Sequence, residues 1–571
     1  MSADVLSIAT ENAKLWTSDL FDSETRAAAQ SMLDTGGDIL VEPFYKDLDF
    51  GTGGMRGIMG VGTNRINPYT LGLATQGLAA YAQQSIGRKD LKAAIAFDSR
   101  NNSKAFACKV AEVLSANGIH TYLFEDLRPT PELSFSVREL GCDFGIVLTA
   151  SHNPKEYNGY KVYWNDGGQL IPPHDKGVIE EVRATRFKDI RWDANEALIE
   201  TVGRDLDEKY TDMIAGLSLS NAGKTDLNIV FTALHGTSII SVPPALAKAG
   251  FTNVQLVEAQ STPNGNFPTV ASPNPEESDA LAMAVAQAEA TGADLVIGCD
   301  PDTDRVGIAA NDGMGKMQLL NGNDTAALLV HYILNTYKEN GTLPSNGFTA
   351  ATIVTTDLIA DISAAYSVPC YRCLTGFKWI ADIINRKPEE KFLVGGEESY
   401  GYLIGDAVRD KDAVASTVMI AEMAANAKAQ GRTVLQQLEA IHREFGQYQE
   451  RLISITKKGR TGAQEIADMM TTLRNDPPKT LAGSPVVIAI DHSNSTQTDL
   501  RSGATSSTEL PASNVLQFIT EAGDKVSARP SGTEPKIKFY FSVRAITGDS
   551  HAATKTELER KIDTFVEELN L

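Results

Sequence analysis

Short, β-branched apolar runs alternate along this chain with longer stretches whose apolar positions repeat at helical spacing. "AAIAFDS" (93–99), "HTYLFED" and "FGIVLTAS" read as buried strands. Between them "SKAFACKVAEVLSANG", capped by Ser103 and closed by Gly118, and "PELSFSVREL" read as helices. Continuous apolar runs separated by helices predict a βαβαβ unit with a parallel sheet. The pattern returns in "LNIVFTALHG", "SVPPALAKAG", "VQLVEA", "SDALAMAVAQAEATG" and "ADLVIGCD". It returns again from "NDTAALLVHYILNTY" through "ATIVTTD", "VPCYRCL" and "GFKWIADIINR" to "KFLVGGEES". After about residue 450 the rhythm changes to "YQERLISITK", "SPVVIAIDHS" and "KIKFYFSVRA", with a final helix "TKTELERKIDTFVEEL". The expected fold is therefore three successive α/β domains with mixed, mainly parallel sheets, followed by a smaller C-terminal α+β domain. The expected boundaries are 1–205, 206–318, 319–448 and 449–571.

A length of 571 residues exceeds what one core supports and agrees with that count. Net charge is −21, which disfavours nucleic acid and anionic membrane surfaces as partners, although an anionic small molecule can bind wherever a few Arg and Lys gather. The N-terminus lacks the basic start and apolar core of a signal peptide, and no apolar run reaches the length of a membrane span, so a soluble cytoplasmic protein is expected. Five scattered cysteines do not make a disulfide framework, and the Cys370/Cys373 pair lies in an apparent strand without a second ligand pair, which favours plain packing over zinc or redox chemistry.

In open parallel sheets ligands gather beyond the carboxyl ends of strands. Each α/β unit here ends its last strand in a polar loop: TASHNP, CDPDTDR and GGEES. On local grounds Ser151 in the first is read equally well as an ST-turn that ends a strand. The second loop places Asp300, Asp302 and Asp304 at alternate positions beside Arg305; three carboxylates in one tight turn suit Mg2+ or a similar hard cation, against the alternative of a solvated acidic turn. "ARPSGTEPKIKF" gathers Arg529, Ser531, Gly532, Thr533 and Lys536, a cluster of donors that reads as an anion nest for phosphate. "DFGTGGMRGIMG" misses the dinucleotide fingerprint, and Arg56 in that glycine loop suits a phosphate contact instead. Glu397 and Ser399 in "GGEESYG" have the donors and acceptors to bond adjacent sugar hydroxyls.

TASHNP, DPDTDR, GEES and RPSGTEPK, in this order, resemble the four active-site loops of the α-D-phosphohexomutase superfamily over nearly the whole chain. "TASHNPKEYNGYKVYWNDGGQ", "TALHGTS" and "TGFKWI" look closest to its phosphoglucomutase and phosphopentomutase-like branch. The resemblance implies four domains around one cleft, one Mg2+, a phosphoserine and a sugar bisphosphate that serves as activator and intermediate. Ser151 matches the phosphoryl-carrying serine, with the metal bridging its phosphate and the three aspartates. Lys161 falls where the family places a candidate general acid/base, and His152 orients the loop or shares proton transfer. Arg56 and Arg305 would offset charge, Thr375, Gly376 and Lys378 resemble the loop that distinguishes substrate orientations, and the nest would hold the distal phosphate. One departure is Tyr400-Gly401, where bacterial phosphomannomutase/phosphoglucomutase relatives carry a histidine, and it moves the preference toward glucose. The expected activity is interconversion of hexose 1-phosphate and hexose 6-phosphate by a monomer or homodimer, with mannose or pentose phosphates as alternative substrates. A metal-dependent phosphatase or a noncatalytic scaffold is the remaining rival: the first needs no second phosphate nest, and the second need not retain Ser151, the aspartates and Arg529.

Overall fold

In the computed structural model, which describes residues 3–457, 459–531, 536–546 and 550–571, the chain divides into two units. The first comprises Met1–Asn321, Ala381–Leu393 and Ser399–Gly431; the second comprises Gly322–Ile380, Val394–Glu398 and Arg432–Leu571.

The first unit opens with helices α1 (Ala3–Leu15), α2 (Ser23–Thr35) and α3 (Gly37–Phe44), gathered around buried Trp16, which stacks on Phe21. The glycine-rich stretch that follows is not a loop at Arg56. Residues Gly54–Ile58 form strand β1, which carries Arg56 and later pairs antiparallel with a strand at Tyr157–Trp164. Glycine makes this pairing possible, because a Cβ at Gly159, opposite Arg56, would come within 2.5 Å of the Thr149 carbonyl oxygen and 2.7 Å of that of Met55.

The predicted βαβαβ run then appears as β2 (Lys92–Phe97), helix Ser103–Ala116, β3 (His120–Phe124), helix Thr130–Glu139 and β4 (Phe144–Leu148). With β5 (Tyr157–Trp164) and β6 (Ile199–Val202) it builds a six-stranded sheet in the order β1-β5-β4-β2-β3-β6. Strands β2, β3, β4 and β6 run parallel, and β1 and β5 close the sheet antiparallel. The fully buried run of β4 explains the unbroken apolar signal, since both faces of a parallel strand are covered. Ser103 does not cap its helix. The N-cap is Asn102, and the Ser103 hydroxyl is drawn instead to Asp98 at 2.8 Å, while Gly118 ends the helix in the left-handed region as expected.

A second sheet in this unit has the order β11-β10-β9-β7-β8, formed by β7 (Ile229–Thr232), β8 (Val254–Leu256), β9 (Leu295–Cys299), β10 (Val306–Asn311) and β11 (Met317–Leu320). Its first three strands are parallel, and β9 turns back antiparallel into β10 around the aspartate loop. Helix Ala413–Ala429 is apolar on every side and almost wholly buried, which is the pattern of a core helix. Asp412 caps it by accepting bonds from the Val414 and Ala415 amides, both at 2.9 Å.

In the second unit β12 (Gly347–Thr352) pairs parallel with β13 (Cys370–Cys373), so the CxxC pair lies in a strand, with Cys373 buried and neither cysteine in a disulfide. The C-terminal part of the unit is a sheet-rich layer in which strands Gln447–Thr456 and Lys525–Pro530 each pair antiparallel with Lys536–Ala545. Helices Gly459–Asn475 and His551–Glu568 are the helical elements of this α+β part, and Leu558, Ile562 and Phe565 join its core. No helix among the described residues is long and apolar enough to cross a membrane.

Candidate active site

Two strand ends meet in the first unit. The loop after β4 carries Ser151 and the loop after β9 carries Asp300, and the Ser151 hydroxyl donates to Asp300 Oδ2 at 2.7 Å. Ser151 is buried, with φ at 52°, a left-handed conformation that non-glycine residues rarely adopt. His152 Nδ1 lies 3.1 Å from the same hydroxyl. Burial, reinforced by the charges of Arg305 and Arg56, holds the His152 pKa well below the ordinary imidazole value, so the ring is neutral.

The aspartate loop is folded tightly on itself. Asp300 Oδ1 accepts from the amides of Asp304 at 3.1 Å and Arg305 at 3.0 Å, while Thr303 takes a positive φ of 58°. Neighbouring chain supports the turn: the Thr130 amide donates to the Asp302 carbonyl at 2.9 Å, and the Thr237 hydroxyl donates to that of Pro301 at 3.0 Å. Gly236 packs so closely beneath it that a Cβ there would stand 2.5 Å from Pro301 Cα.

The three aspartates are buried, and each offers one carboxylate oxygen, all within 4.8 Å of one another. Burial and the charges of Asp302 and Asp304 push Asp300 well above the usual carboxylate range. Asp304 is held far below that range: burial works against it, but Lys161, Lys411 and Arg305 outweigh burial. Asp302 Oδ1 and Asp304 Oδ1 are buried without a hydrogen-bond partner. Three converging hard oxygen donors, two of them with unmet acceptors, fit a hard divalent cation.

Cations surround this centre. Lys161, on β5, donates to Asp302 Oδ2 at 2.7 Å and Asp304 Oδ2 at 3.0 Å. Burial opposes the charge of Lys161, yet Asp302 and Asp304 more than offset that and raise its pKa above the ordinary value. Lys411, unremarked in the sequence, lies 3.1 Å from Asp304 Oδ2. Arg305 pairs with Glu276 and donates to the Ser399 carbonyl at 3.1 Å. Arg56 is exposed, donates to Asn153 Oδ1 at 2.8 Å and stands in the field of all three aspartates. The structure thus gathers Ser151, His152, Lys161, Arg56, Arg305 and the aspartates into one polar centre.

The remaining candidates divide differently. Ser399 belongs to the first unit, whereas Glu397, Thr375, Gly376, Lys378, Arg529, Ser531 and Lys536 belong to the second. Glu397, buried at the end of strand Lys391–Gly396, accepts from the Gly376 amide at 2.9 Å, which ties the GEES loop to the TGFK loop. Thr375 Oγ1 is buried without a hydrogen-bond partner, and Lys378 lies over the Trp379 ring at 5.4 Å. Arg529 reaches Tyr540, whose hydroxyl burial and the nearby Glu398 carboxylate push above the ordinary tyrosine range while Arg529 pulls it down; Glu397 adds to the upward push. Tyr540 thus lies in the field of both the nest arginine and the GEES carboxylates, a placement invisible in "KIKFYFSV". The Ser531 amide donates to the Lys536 carbonyl at 2.7 Å; Gly532 and Thr533 lie outside the described residues.

Residues 47–189, 208–313 and 321–445 match in turn the alpha/beta/alpha domains I, II and III of phosphoglucomutase/phosphomannomutase. A phosphoglucomutase of Staphylococcus epidermidis (strain ATCC 35984) is 36% identical over 531 residues, covering 92% of this chain and 94% of its own. That of Staphylococcus aureus (strain MRSA252) is also 36% identical, over 542 residues, covering 94% and 96%. Among solved structures, a putative phosphomannomutase from Thermus thermophilus shares the fold with TM-score 0.68 at 20% identity, covering 92% of this chain and 98% of its own. The open form of a Paramecium phosphoglucomutase does so with TM-score 0.66 at 17% identity, covering 92% and 96%. Fold and sequence together define a mutase enzyme of the α-D-phosphohexomutase superfamily. Within it, the chain belongs to the phosphoglucomutase/phosphomannomutase family.

Proposed function

We propose that this protein interconverts glucose 1-phosphate and glucose 6-phosphate through a phosphoserine at Ser151 and a bisphosphorylated sugar. The observation that carries the reading is the bond from the Ser151 hydroxyl to Asp300, the first residue of a loop with three buried carboxylates. Relatives of nearly equal length that are named phosphoglucomutase support glucose as the sugar.

Asp300, Asp302 and Asp304, with the oxygen on Ser151, would hold Mg2+, which when bound offsets the charge on the moving phosphoryl group. The chain's own residues do the rest. Ser151 gives its phosphoryl group to a sugar hydroxyl: the Oγ–P bond breaks, a bond from phosphorus to the sugar oxygen forms, and the hydroxyl proton passes to a base. His152, neutral and beside the Ser151 hydroxyl, is placed to take that proton, while Lys161, held as an ammonium by Asp302 and Asp304, is placed to act as the acid and to offset charge. The second half reverses the bond changes at the other end of the turned sugar. Arg529, Ser531, Thr533 and Lys536 would hold whichever phosphate is not reacting, and Glu397 and Ser399 the sugar hydroxyls.

The test is a parallel rate measurement on glucose 1-phosphate, mannose 1-phosphate and ribose 1-phosphate with Mg2+ and the matching bisphosphate. Fastest turnover of glucose 1-phosphate to the 6-phosphate is expected. Preference for another sugar moves the protein to another branch, and release of inorganic phosphate without isomerisation overturns the mutase reading.

A further inference from the structure

Two residues at the end of β2, Asp98 and Arg100, meet through side chains that are fully buried, with Arg100 Nε 3.4 Å from Asp98 Oδ2. Burying a guanidinium is costly unless its donors are used, and here both terminal nitrogens are used on one stretch of chain. Arg100 Nη2 donates to the carbonyl of Ser151 at 2.6 Å and to that of Asn153. Nη1 donates to the carbonyls of Pro154 at 2.9 Å and Tyr157 at 3.1 Å. One planar group thus collects three carbonyls from the irregular loop between β4 and β5 and that of the first residue of β5.

Asp98 holds the other side of the same residue. Its Oδ2 accepts from the Thr149 hydroxyl at 2.7 Å, and that hydroxyl oxygen accepts the Ser151 amide at 2.9 Å. Its Oδ1 accepts from the Arg100 amide at 2.9 Å and from Ser103 Oγ at 2.8 Å. Both backbone polar groups of Ser151 therefore lead back to this one ion pair: the amide through Thr149 to Asp98, the carbonyl directly to Arg100. A positive φ at a serine persists only where its surroundings over-determine it, and these bonds supply that constraint.

We propose that Asp98 and Arg100 are positioning residues that clamp Ser151 in its left-handed conformation and thereby aim Oγ at Asp300. Neither touches the reacting atoms. The proposal rests on the mutase reading for its effect on rate, but not for its effect on the loop.

The test uses Arg100→Lys and Arg100→Ala in the full chain, with Asp98→Asn as the isosteric variant. Displacing a nucleophile by a fraction of an ångström is expected to lower kcat about 100-fold with KM for glucose 1-phosphate within about threefold. Added guanidinium, which can enter the cavity of about 560 Å³ lined by Asp98, Ser99, Arg100 and Asn264, should restore Arg100→Ala by roughly tenfold, whereas urea should not. Amide exchange over residues 149–157 is read on the same proteins without any turnover and should quicken by about tenfold or more while helix Ala413–Ala429 stays protected. Unchanged exchange in folded Arg100→Lys and Asp98→Asn overturns the clamp whatever the activity. Equal kcat, or a loss confined to KM, does so too, as does failure of guanidinium to restore folded Arg100→Ala. Wild-type protein without mutase turnover defeats the functional reading alone, because the exchange comparison still stands.

Discussion

The Ser151 hydroxyl and the Asp300 carboxylate, 149 positions apart in the chain, sit 2.7 Å from one another. They arrive there on the carboxyl ends of parallel strands in two different sheets, so the contact depends on how those sheets pack and not on either loop alone.

Ser151→Ala removes the phosphoryl carrier. Intact protein should carry the mass of one phosphate that the variant lacks, and turnover should fall by orders of magnitude. Mass spectrometry and a coupled assay check both, and a variant with normal rate and unchanged mass defeats the mechanism.

Asp302→Asn removes one charge from the buried carboxylate group. Mg2+ affinity should drop by about tenfold or more and rate should fall with it, measured by metal titration of the apoprotein. Full activity in excess chelator would remove the metal from the account.

Gly236→Ala tests the support under the aspartate loop. Its methyl would stand 2.5 Å from Pro301 Cα and 2.7 Å from the Pro301 carbonyl oxygen, both backbone atoms that cannot turn aside. Overpacking of this kind costs about 1 to 3 kcal/mol, and here the displaced loop should also weaken metal binding. Chemical denaturation and metal titration report the two effects separately.

Arg529→Ala should raise KM for the sugar phosphate and lower kcat/KM by about 2 to 4 kcal/mol, the scale of a lost charge-assisted contact. Mg2+ affinity should stay normal, since the aspartates belong to the other unit. Loss of metal binding instead would show that the nest is not the distal phosphate site.

Glu450 supplies a pH dependence remote from the metal centre. Burial raises it from the ordinary 4.5 to about 8; a bond from Thr356 opposes the shift, and the charges of Asp324 and Asp357 add to it. A raised carboxyl binds its proton more tightly in the folded state, so its stabilising contribution is complete below 4.5 and is lost as pH rises through 8. Glu450→Gln should therefore flatten the fall in Tm between about pH 5 and about pH 8.5 and leave the variant ahead of wild type at the alkaline end. Calorimetry at the two pH values decides it, and parallel curves refute the assignment.

Much of this site was readable from the chain because strand ends declare themselves. Apolar runs that stop abruptly at TASHNP, CDPDTDR and GGEES mark the carboxyl ends of buried strands, and the alternating aspartates announce their own repulsion. What stayed hidden was carried by tertiary closure. Lys411 looks like one charge in the surface-like string "RDKDAV", yet the course of the chain from β10 to the buried helix Ala413–Ala429 brings it to Asp304. Ser103 followed the helix-cap rule in sequence, but its oxygen accepts from Asn158 Nδ2 and its proton goes to Asp98. Arg56 read as part of a glycine loop because glycines break strand patterns, whereas at Gly159 the missing side chain is what admits the pairing of β1 with β5.

The division into interleaved segments has a consequence for how the protein is made. The chain leaves the first unit after Asn321 and comes back to it only at Ala381 and again at Ser399. A nascent chain that has emerged as far as β11 already owns Ser151, Lys161 and the three aspartates, but not Lys411, which neutralises Asp304, nor the hydrophobic helix that fills the core behind it. Until that late segment leaves the ribosome, the acidic centre is missing one of its balancing cations and part of its packing. The first unit is thus a structure that vectorial synthesis cannot finish in order, and a stop codon anywhere before residue 413 should leave a fragment prone to aggregation rather than a smaller, weaker enzyme.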